Sequence, residues 1–380
     1  MELYVHIPFC VRKCAYCDFL SAPAGGLEQR AYVDQLLEEI QMQSLNYKEY
    51  DVTSIFIGGG TPSILRAEWM SEILSMIHQC FAVESDAEIT IEANPGTLDA
   101  HKLDVYRQSG INRISLGLQS ADDEELRTLG RIHTYDDFLK SYERVRQAGF
   151  TNVNIDLMSA LPGQTLASWK NTLKKVLMLR PEHISAYSLI IEEGTPFFER
   201  YHTKEGRMLL PDEDMDREMY HFTKTYLKEQ DYDRYEISNY AKPGYECRHN
   251  IGYWTGVEYL GLGLGASSYM LDHRFHSEQD MEKYMKIRMR EDLTPLYQEV
   301  EELDLGAKME EFMFLGLRLA KGVSGSEFFE RFNQNMWNIY GAVIQKYIDE
   351  GLLESNSPDI RLTERGMDVS NYVMSGFLLE

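Results

Sequence analysis

The sequence predicts an α/β protein: a partial (β/α)6 TIM-like barrel carrying a C-terminal, α-rich, winged-helix-like domain. Three observations predict it. Short β-branched runs alternate with amphipathic stretches six times in the first 200 residues, the pattern of parallel βα units. The residues able to do chemistry fall just after those runs, where barrel strands end and active sites gather. From about Leu303 the chain turns helix-rich, and it closes with Asp359-Ile360-Arg361-Leu362-Thr363 running into Glu364-Arg365-Gly366, which reads as strand, turn and helix.

The strand candidates, in order, are Leu3 to Ile7, Thr53 to Ile57, Glu88 to Ala93, Arg113 to Leu118, Asn152 to Met158 and His183 to Ile191. Between the first two, Val33, Leu36, Leu37 and Ile40 fall at i, i+3, i+4 and i+7, with Glu38 and Glu39 pointing away. That single apolar stripe should pack on the sheet. Six units exceed a doubly wound half and fall short of eight, hence an open barrel. After about residue 200 comes an acidic helical stretch around Asp212, Glu213, Asp214 and Asp216, then a Gly-rich segment from Gly252 to Gly265. The expected division is 1–200 for the partial barrel, 201–300 for an extension completing it and 301–380 for the C-terminal domain. A chain of 380 residues accommodates two or three domains.

Hydrophobic residues are 43% and charged residues 26% of the chain, which excludes global disorder, collagen and coiled coil. The net charge of −23 repels phosphate backbones, and the late domain is not basic, so no nucleic-acid partner is expected. The start, Met1 to Pro8, has no charged-plus-apolar leader, and no run of 18 apolar residues occurs. The expected location is the cytoplasm.

Three of the five cysteines, Cys10, Cys14 and Cys17, sit within eight residues after the first strand, in a C-x3-C-x2-C loop. Three thiols so close cannot all pair, and cytosolic disulfides are rare, so a metal or cluster site is the better account. Three thiolates can hold three irons of a [4Fe-4S] cluster and leave the fourth open. A zinc knot completed by His6 or Asp18 is the competing reading, but zinc sites usually pair two C-x2-C units or add distant histidines, and no second pair exists here.

This spacing, with aromatic Tyr16 before the third cysteine, resembles the radical S-adenosylmethionine superfamily. The resemblance implies that S-adenosylmethionine chelates the open iron and that an electron from the cluster can cleave its carbon–sulfur bond to give a 5′-deoxyadenosyl radical. Gly58-Gly59-Gly60-Thr61 follows the second strand, where glycines let backbone approach a ligand. It resembles the motif for the methionine ammonium. Glu92, Gln119 and Asp156 end the third, fourth and fifth strands, and Arg131 follows the fourth. Any one of these alone reads equally well as a cap or a solvated residue. Together they are similar to S-adenosylmethionine contacts in the group that joins HemW to the anaerobic coproporphyrinogen III dehydrogenase HemN. There Glu92 and Arg131 face the methionine moiety, Gln119 and Asp156 the ribose, and Tyr4 and Tyr16 border the cofactor.

The resemblance covers nearly the whole chain and points to the HemW branch. The porphyrinogen-decarboxylating members carry a further cysteine where this chain has Phe19, and a long extension where only nine residues precede Cys10. His249-Asn250-Ile251-Gly252-Tyr253-Trp254 resembles the HNxxYW motif of that branch, which is associated with haem. Histidine is a common axial haem ligand, and Tyr253 and Trp254 could pack on the macrocycle. An ordinary polar residue in a Gly-rich loop is the competing reading. Cys247, two residues upstream, could also ligate haem iron, or be a buried thiol. After Asp156 the chain reads Leu157-Met158-Ser159-Ala160-Leu161-Pro162, where relatives tend to have Tyr-Gly before Leu-Pro, which puts the local loop shape in question.

The function so implied is a haem chaperone that binds a [4Fe-4S] cluster, S-adenosylmethionine and haem. Its partners would be apo-haemoprotein acceptors such as respiratory enzymes, with peripheral membrane association through them, and an electron-donor protein. The rivals are coproporphyrinogen III dehydrogenase and a radical S-adenosylmethionine tRNA modifier, the latter disfavoured by the acidic charge. Replacing Cys14 by Ala should abolish the visible absorbance of the cluster, because two thiolates hold a cubane poorly. Unchanged iron and sulfide content would sink the cluster assignment.

Overall fold

The computed structural model describes residues 1–379. All six expected strands form: β1 (Glu2–Ile7), β2 (Asp51–Gly59), β3 (Ala82–Ala93), β4 (Arg113–Gln119), β5 (Val153–Ser159) and β6 (His183–Ser188). They pair in parallel and in chain order. Parallel strands need covered faces. One register of each strand supplies that cover, with Leu3, Val5, Ile55, Ile57, Ile89, Ile91, Ile114, Leu116, Val153 and Ile155 all buried. The helix Gly26–Gln43 packs its Val33, Leu36 and Ile40 into the same core, but Glu39, expected to point away, is fully buried and accepts from the Gly263 N–H (3.0 Å) and Tyr284 Oη (2.5 Å). The other register is polar and turns inward: Glu2, Ser54, Glu88, Ser115, Asn154, Asp156 and His183.

The described residues place these strands in one open twelve-stranded sheet. Beyond β6 lie β7 (Asp233–Arg234) and β8 (Asn239–Ala241), antiparallel. On the other side β9 (Tyr259–Leu262) pairs in parallel with β1, and β10 (Ser267–Met270), β11 (His273–Ser277) and β12 (Tyr297–Glu302) continue antiparallel. The part of the chain expected to complete the barrel thus widens the sheet at both edges. The HNxxYW segment lies on the helix Arg248–Thr255 and not in the Gly-rich loop of the competing reading.

Met309 to Phe377 contribute a second core. Helices Leu305–Gly316, Gly325–Phe332 and Met336–Asp349 precede the hairpin β13 (Leu353–Asn356) and β14 (Asp359–Leu362), the order of a winged helix. Two arginines tie it to the barrel. Arg331 donates to the carbonyls of Thr255 (3.0 Å) and Gly256 (2.9 Å), and Arg274 of β11 makes a two-pronged pair with Glu311 (2.5 and 2.7 Å). No described helix is long and apolar enough to cross a membrane.

The departure after β5 has a structural consequence. Ala160 has φ +57°, in the left-handed region that costs a residue with a Cβ. The loop keeps the conformation a glycine would hold and carries the strain. Ala160→Gly should therefore raise stability by about 0.5–1 kcal/mol, the relief exceeding the added freedom of the unfolded chain. Chemical denaturation midpoints check this; a lower midpoint would refute it.

Candidate cofactor site at the strand ends

The cysteine loop leaves β1 already braced. Cys10 N–H donates to the Ala22 carbonyl (3.2 Å) and Ala22 N–H to that of Pro8 (3.0 Å). Further on, Ala15 N–H donates to the Leu129 carbonyl (3.1 Å), and Phe197 N–H to that of Ala15 (2.9 Å). A small apolar cluster of Leu129, Leu161, Phe197 and Tyr201 lies beneath, with Tyr16 packed against it. All three thiols are free, Cys10 buried and Cys14 and Cys17 half-buried. Burial pushes the Cys10 and Cys17 thiols up from their ordinary values. Arg131 Nη1 lies 3.7 Å from Cys14 Sγ.

Below the loop is a cavity of about 350 Å³, lined by the three cysteines and by Tyr16, Gly59, Gly60, Thr61, Glu92, Gln119, Arg131 and Asp156. Eight of the ten expected S-adenosylmethionine residues thus meet in one space. The other two sit one layer deeper. A Cβ on Gly58 would crowd the Tyr4 ring (3.1 Å) and Glu92 Oε2 (3.0 Å), and Tyr4 Oη bonds His6 Nδ1 (3.0 Å). Gly60 must be glycine because a Cβ there would meet the Phe9 carbonyl at 2.5 Å. Gly59 has φ +114° and donates its N–H to Glu92 Oε2 (3.2 Å).

Glu92 is pushed up to about 8, first by burial and then by the neighbouring charge of Asp156. Burial raises Asp156 as well, against the hydrogen bonds it accepts from Ser115 Oγ (2.8 Å) and Asn154 Nδ2 (2.7 Å). Gln119 ends β4 with φ +71° beside a register shift between Gly117 and Gln119. A non-glycine residue in that region at a strand end is a mark of functional sites.

Asn94 and Ser115 are among the lining residues that no sequence motif singles out. Arg131 Nη2 donates to Asn94 Oδ1 (2.6 Å) and to the Gly117 carbonyl (2.6 Å), and Asn94 Nδ2 donates to Thr61 Oγ1 (2.7 Å), so Asn94 joins three strand ends. The signal was available: Asn94 follows Glu92 by two, and Ser115 is two residues before Gly117 on an inward register.

His249, Tyr253 and Trp254 are not brought to this cavity. The helix that carries them packs at the opposite, amino-terminal end of the strands. His249 is 1% exposed. Its Nδ1 bonds Ser54 Oγ (2.8 Å), its Nε2 bonds Tyr253 Oη (3.0 Å), and its ring stacks on Phe56 at 5.2 Å. As folded, both ring nitrogens are engaged and neither is offered to an iron. Trp254 faces the C-terminal domain, with the Arg318 guanidinium 4.2 Å over its ring. Cys247 is fully buried, its thiol pushed up to about 12 by burial.

Residues 4–176 match the radical SAM superfamily model and residues 303–369 the HemN C-terminal domain. Curated relatives named "Heme chaperone HemW" include that of Lactococcus lactis subsp. lactis, 38% identical over 379 residues (99% of this chain, 97% of the relative). That of Bacillus subtilis is 35% identical over 382 residues (99% of each). The chain belongs to the HemW family. Among solved structures, coproporphyrinogen III oxidase (HemN) from Escherichia coli superposes with a TM-score of 0.85 over 99% of this chain and 89% of that one, at 23% identity. The fold is that of the radical SAM superfamily, as the sequence predicted.

The donor set suits what the superfamily carries. Three thiols without disulfide partners on one braced loop, with no fourth cysteine among the lining residues, match a [4Fe-4S] cluster with one open iron. A glycine cradle and a ring of carboxylates and amides beneath suit the polar ends of S-adenosylmethionine.

Glu92 sets a pH dependence. Because its carboxyl is raised from 4.5 to about 8, the folded protein keeps a proton that the unfolded chain gives up, and stability falls as pH rises through that window. Glu92→Gln removes this contribution. Without S-adenosylmethionine, the variant should gain about 1–2 kcal/mol on the parent between pH 5 and pH 8, a figure discounted because the carboxyl faces the cavity. Parallel denaturation curves at the two pH values, with no relative gain, would contradict the assigned shift.

Proposed function

We propose that this chain is a haem chaperone that holds a [4Fe-4S] cluster and S-adenosylmethionine and delivers haem to apo-haemoproteins. One observation carries the site: three free thiols stand over a single cavity in which eight of the ten expected cofactor residues converge. Its family relatives bear the chaperone name over their full length. In this reading Cys10, Cys14 and Cys17 hold three irons, and the cluster supplies one-electron chemistry at the open one. Gly58, Gly59, Gly60, Thr61, Glu92 and Arg131 receive the methionine moiety. Gln119 and Asp156 take the ribose, Tyr16 borders the cofactor, and Tyr4 backs Gly58 from below. The working division is 1–200, 201–300 and 301–380, the last joined to the barrel through Arg331 and Arg274.

Haem contact at His249, Tyr253 and Trp254 belongs to this reading only in a state where the helix Arg248–Thr255 has left its seat, releasing His249 from Ser54, and where the Tyr253 hydroxyl on the same helix has turned away from His249 Nε2. The acceptors are apo-haemoproteins such as respiratory enzymes, which bring the chaperone to the membrane surface. An electron-donor protein docks through a basic patch of its own on this acidic chain. The location is the cytoplasm, and nucleic acid is not a partner.

The test against the dehydrogenase is an anaerobic incubation of cluster-reconstituted protein with reductant, S-adenosylmethionine and coproporphyrinogen III, scored by chromatography. The expected outcome is an intact cluster, no consumption of porphyrinogen, and transfer of bound haem to an apo-haemoprotein. Decarboxylated product over many turnovers would make the chain a dehydrogenase.

A further inference from the structure

The polar interior of the barrel is wired in one direction. Asp156 of β5 accepts at both carboxylate oxygens, from Ser115 Oγ (2.8 Å) and Asn154 Nδ2 (2.7 Å). Asn154 Nδ2 also donates to Ser115 Oγ (2.7 Å). This fixes the Asn154 amide with its oxygen turned the other way, toward His183 Nδ1 (2.6 Å) and Ser185 Oγ (3.2 Å). An amide oxygen only accepts, so His183 carries its proton on Nδ1 and its Nε2 is a bare lone pair. Tyr235 Oη lies 2.9 Å from that Nε2 and must donate to it. The Tyr235 oxygen in turn accepts from the backbone N–H of Cys247 (3.3 Å), the residue that opens the helix Arg248–Thr255. Each donor in the series points toward Asp156. Asn154 and His183 are 2% and 0% exposed, so no water competes for these bonds.

We propose that His183 is a positioning residue: acting through Asn154 it holds the Asp156 carboxylate in one orientation for its ligand, and through Tyr235 it ties that orientation to the helix Arg248–Thr255. His183 touches no part of the cavity itself. The proposal rests on the reading that Asp156 takes the ribose hydroxyls of S-adenosylmethionine. A neutral histidine suits the role. It donates on one side and accepts on the other, so it passes a fixed polarity across β6, whereas an imidazolium would donate at both nitrogens and leave the Tyr235 hydroxyl proton without this acceptor.

The test is a double-mutant cycle on the full, cluster-reconstituted protein, reading S-adenosylmethionine affinity by equilibrium dialysis, with iron and sulfide content measured on every variant. His183→Leu should weaken binding about tenfold in the parent and by less than about twofold in an Asp156→Asn background, because the lost contact is already absent there. Tyr235→Phe, which removes one hydroxyl and threatens the fold less, should behave in the same way more weakly. His183→Gln, able to donate to Asn154 and accept from Tyr235, should restore most of the affinity. Equal losses from His183→Leu in both backgrounds would mark a merely structural residue and overturn the positioning role while leaving the ribose reading intact. If Asp156→Asn alone binds like the parent, the ribose reading falls and the positioning role with it.

Discussion

An open barrel with a polar interior survives only if most of its inward groups are satisfied, and much of this molecule follows from that constraint, Glu2 Oε2, Thr90 Oγ1 and Arg113 Nε being exceptions. Removing a buried polar group from water without a partner costs several times what one good hydrogen bond contributes. The six parallel strands turn Glu2, Ser54, Glu88, Ser115, Asn154, Asp156 and His183 inward. The helices between the parallel strands sit on the other face, against Val5, Ile57 and Ile91. Ser115, Asn154, Asp156 and His183 bond sideways, strand to strand, and hold the Asp156 carboxylate in place, while Ser54 and Glu88 bond His249 and Cys247.

The two ends of the barrel solve the constraint differently. At the carboxyl ends the polar groups are left to a ligand: Glu92, Gln119 and Asp156 face a cavity of about 350 Å³. At the amino ends they are sealed by the helix Arg248–Thr255, whose Gly252 passes so close to Glu2 that a Cβ would run into its carboxylate. The seal is neutral. Burial raises Glu2 to about 8 and lowers His249 to about 3, so at neutral pH the 3.7 Å approach of Glu2 Oε2 to His249 Nδ1 joins two uncharged groups and not an ion pair. That choice avoids the desolvation cost of a buried charge pair. It also explains why a motif whose chemistry invites an axial ligand has, in this conformation, both ring nitrogens engaged.

What could be read in the sequence is what local pattern encodes. The six strands, the stripe at Val33, Leu36 and Ile40, and the winged-helix order of the tail follow from periodicity, and the cysteine loop from spacing. What could not be read depends on register between distant strands. Asn154 and His183 are ordinary polar residues until β5 and β6 pair them directly. Asn94 gains its place only when Arg131 folds back over Gly117. The burial of His249 escaped for the same reason: its partners, Ser54 and Phe56, are nearly 200 residues earlier, on a strand whose inward face no local pattern reveals. Sequence separates the ends of the barrel by motif, but only the fold says which motif stands at which end.

The cysteine loop is held by contacts of the scaffold that leave its thiols free. Its backbone is pinned by bonds to Leu129, Ala22 and Phe197 that involve no thiol, and Tyr16 is anchored in an apolar cluster of its own. Burial meanwhile raises the Cys10 and Cys17 thiols, which favours their protonated, weakly nucleophilic form. Ligating a metal as thiolates expels those protons, a cost that the iron–sulfur bonds must offset.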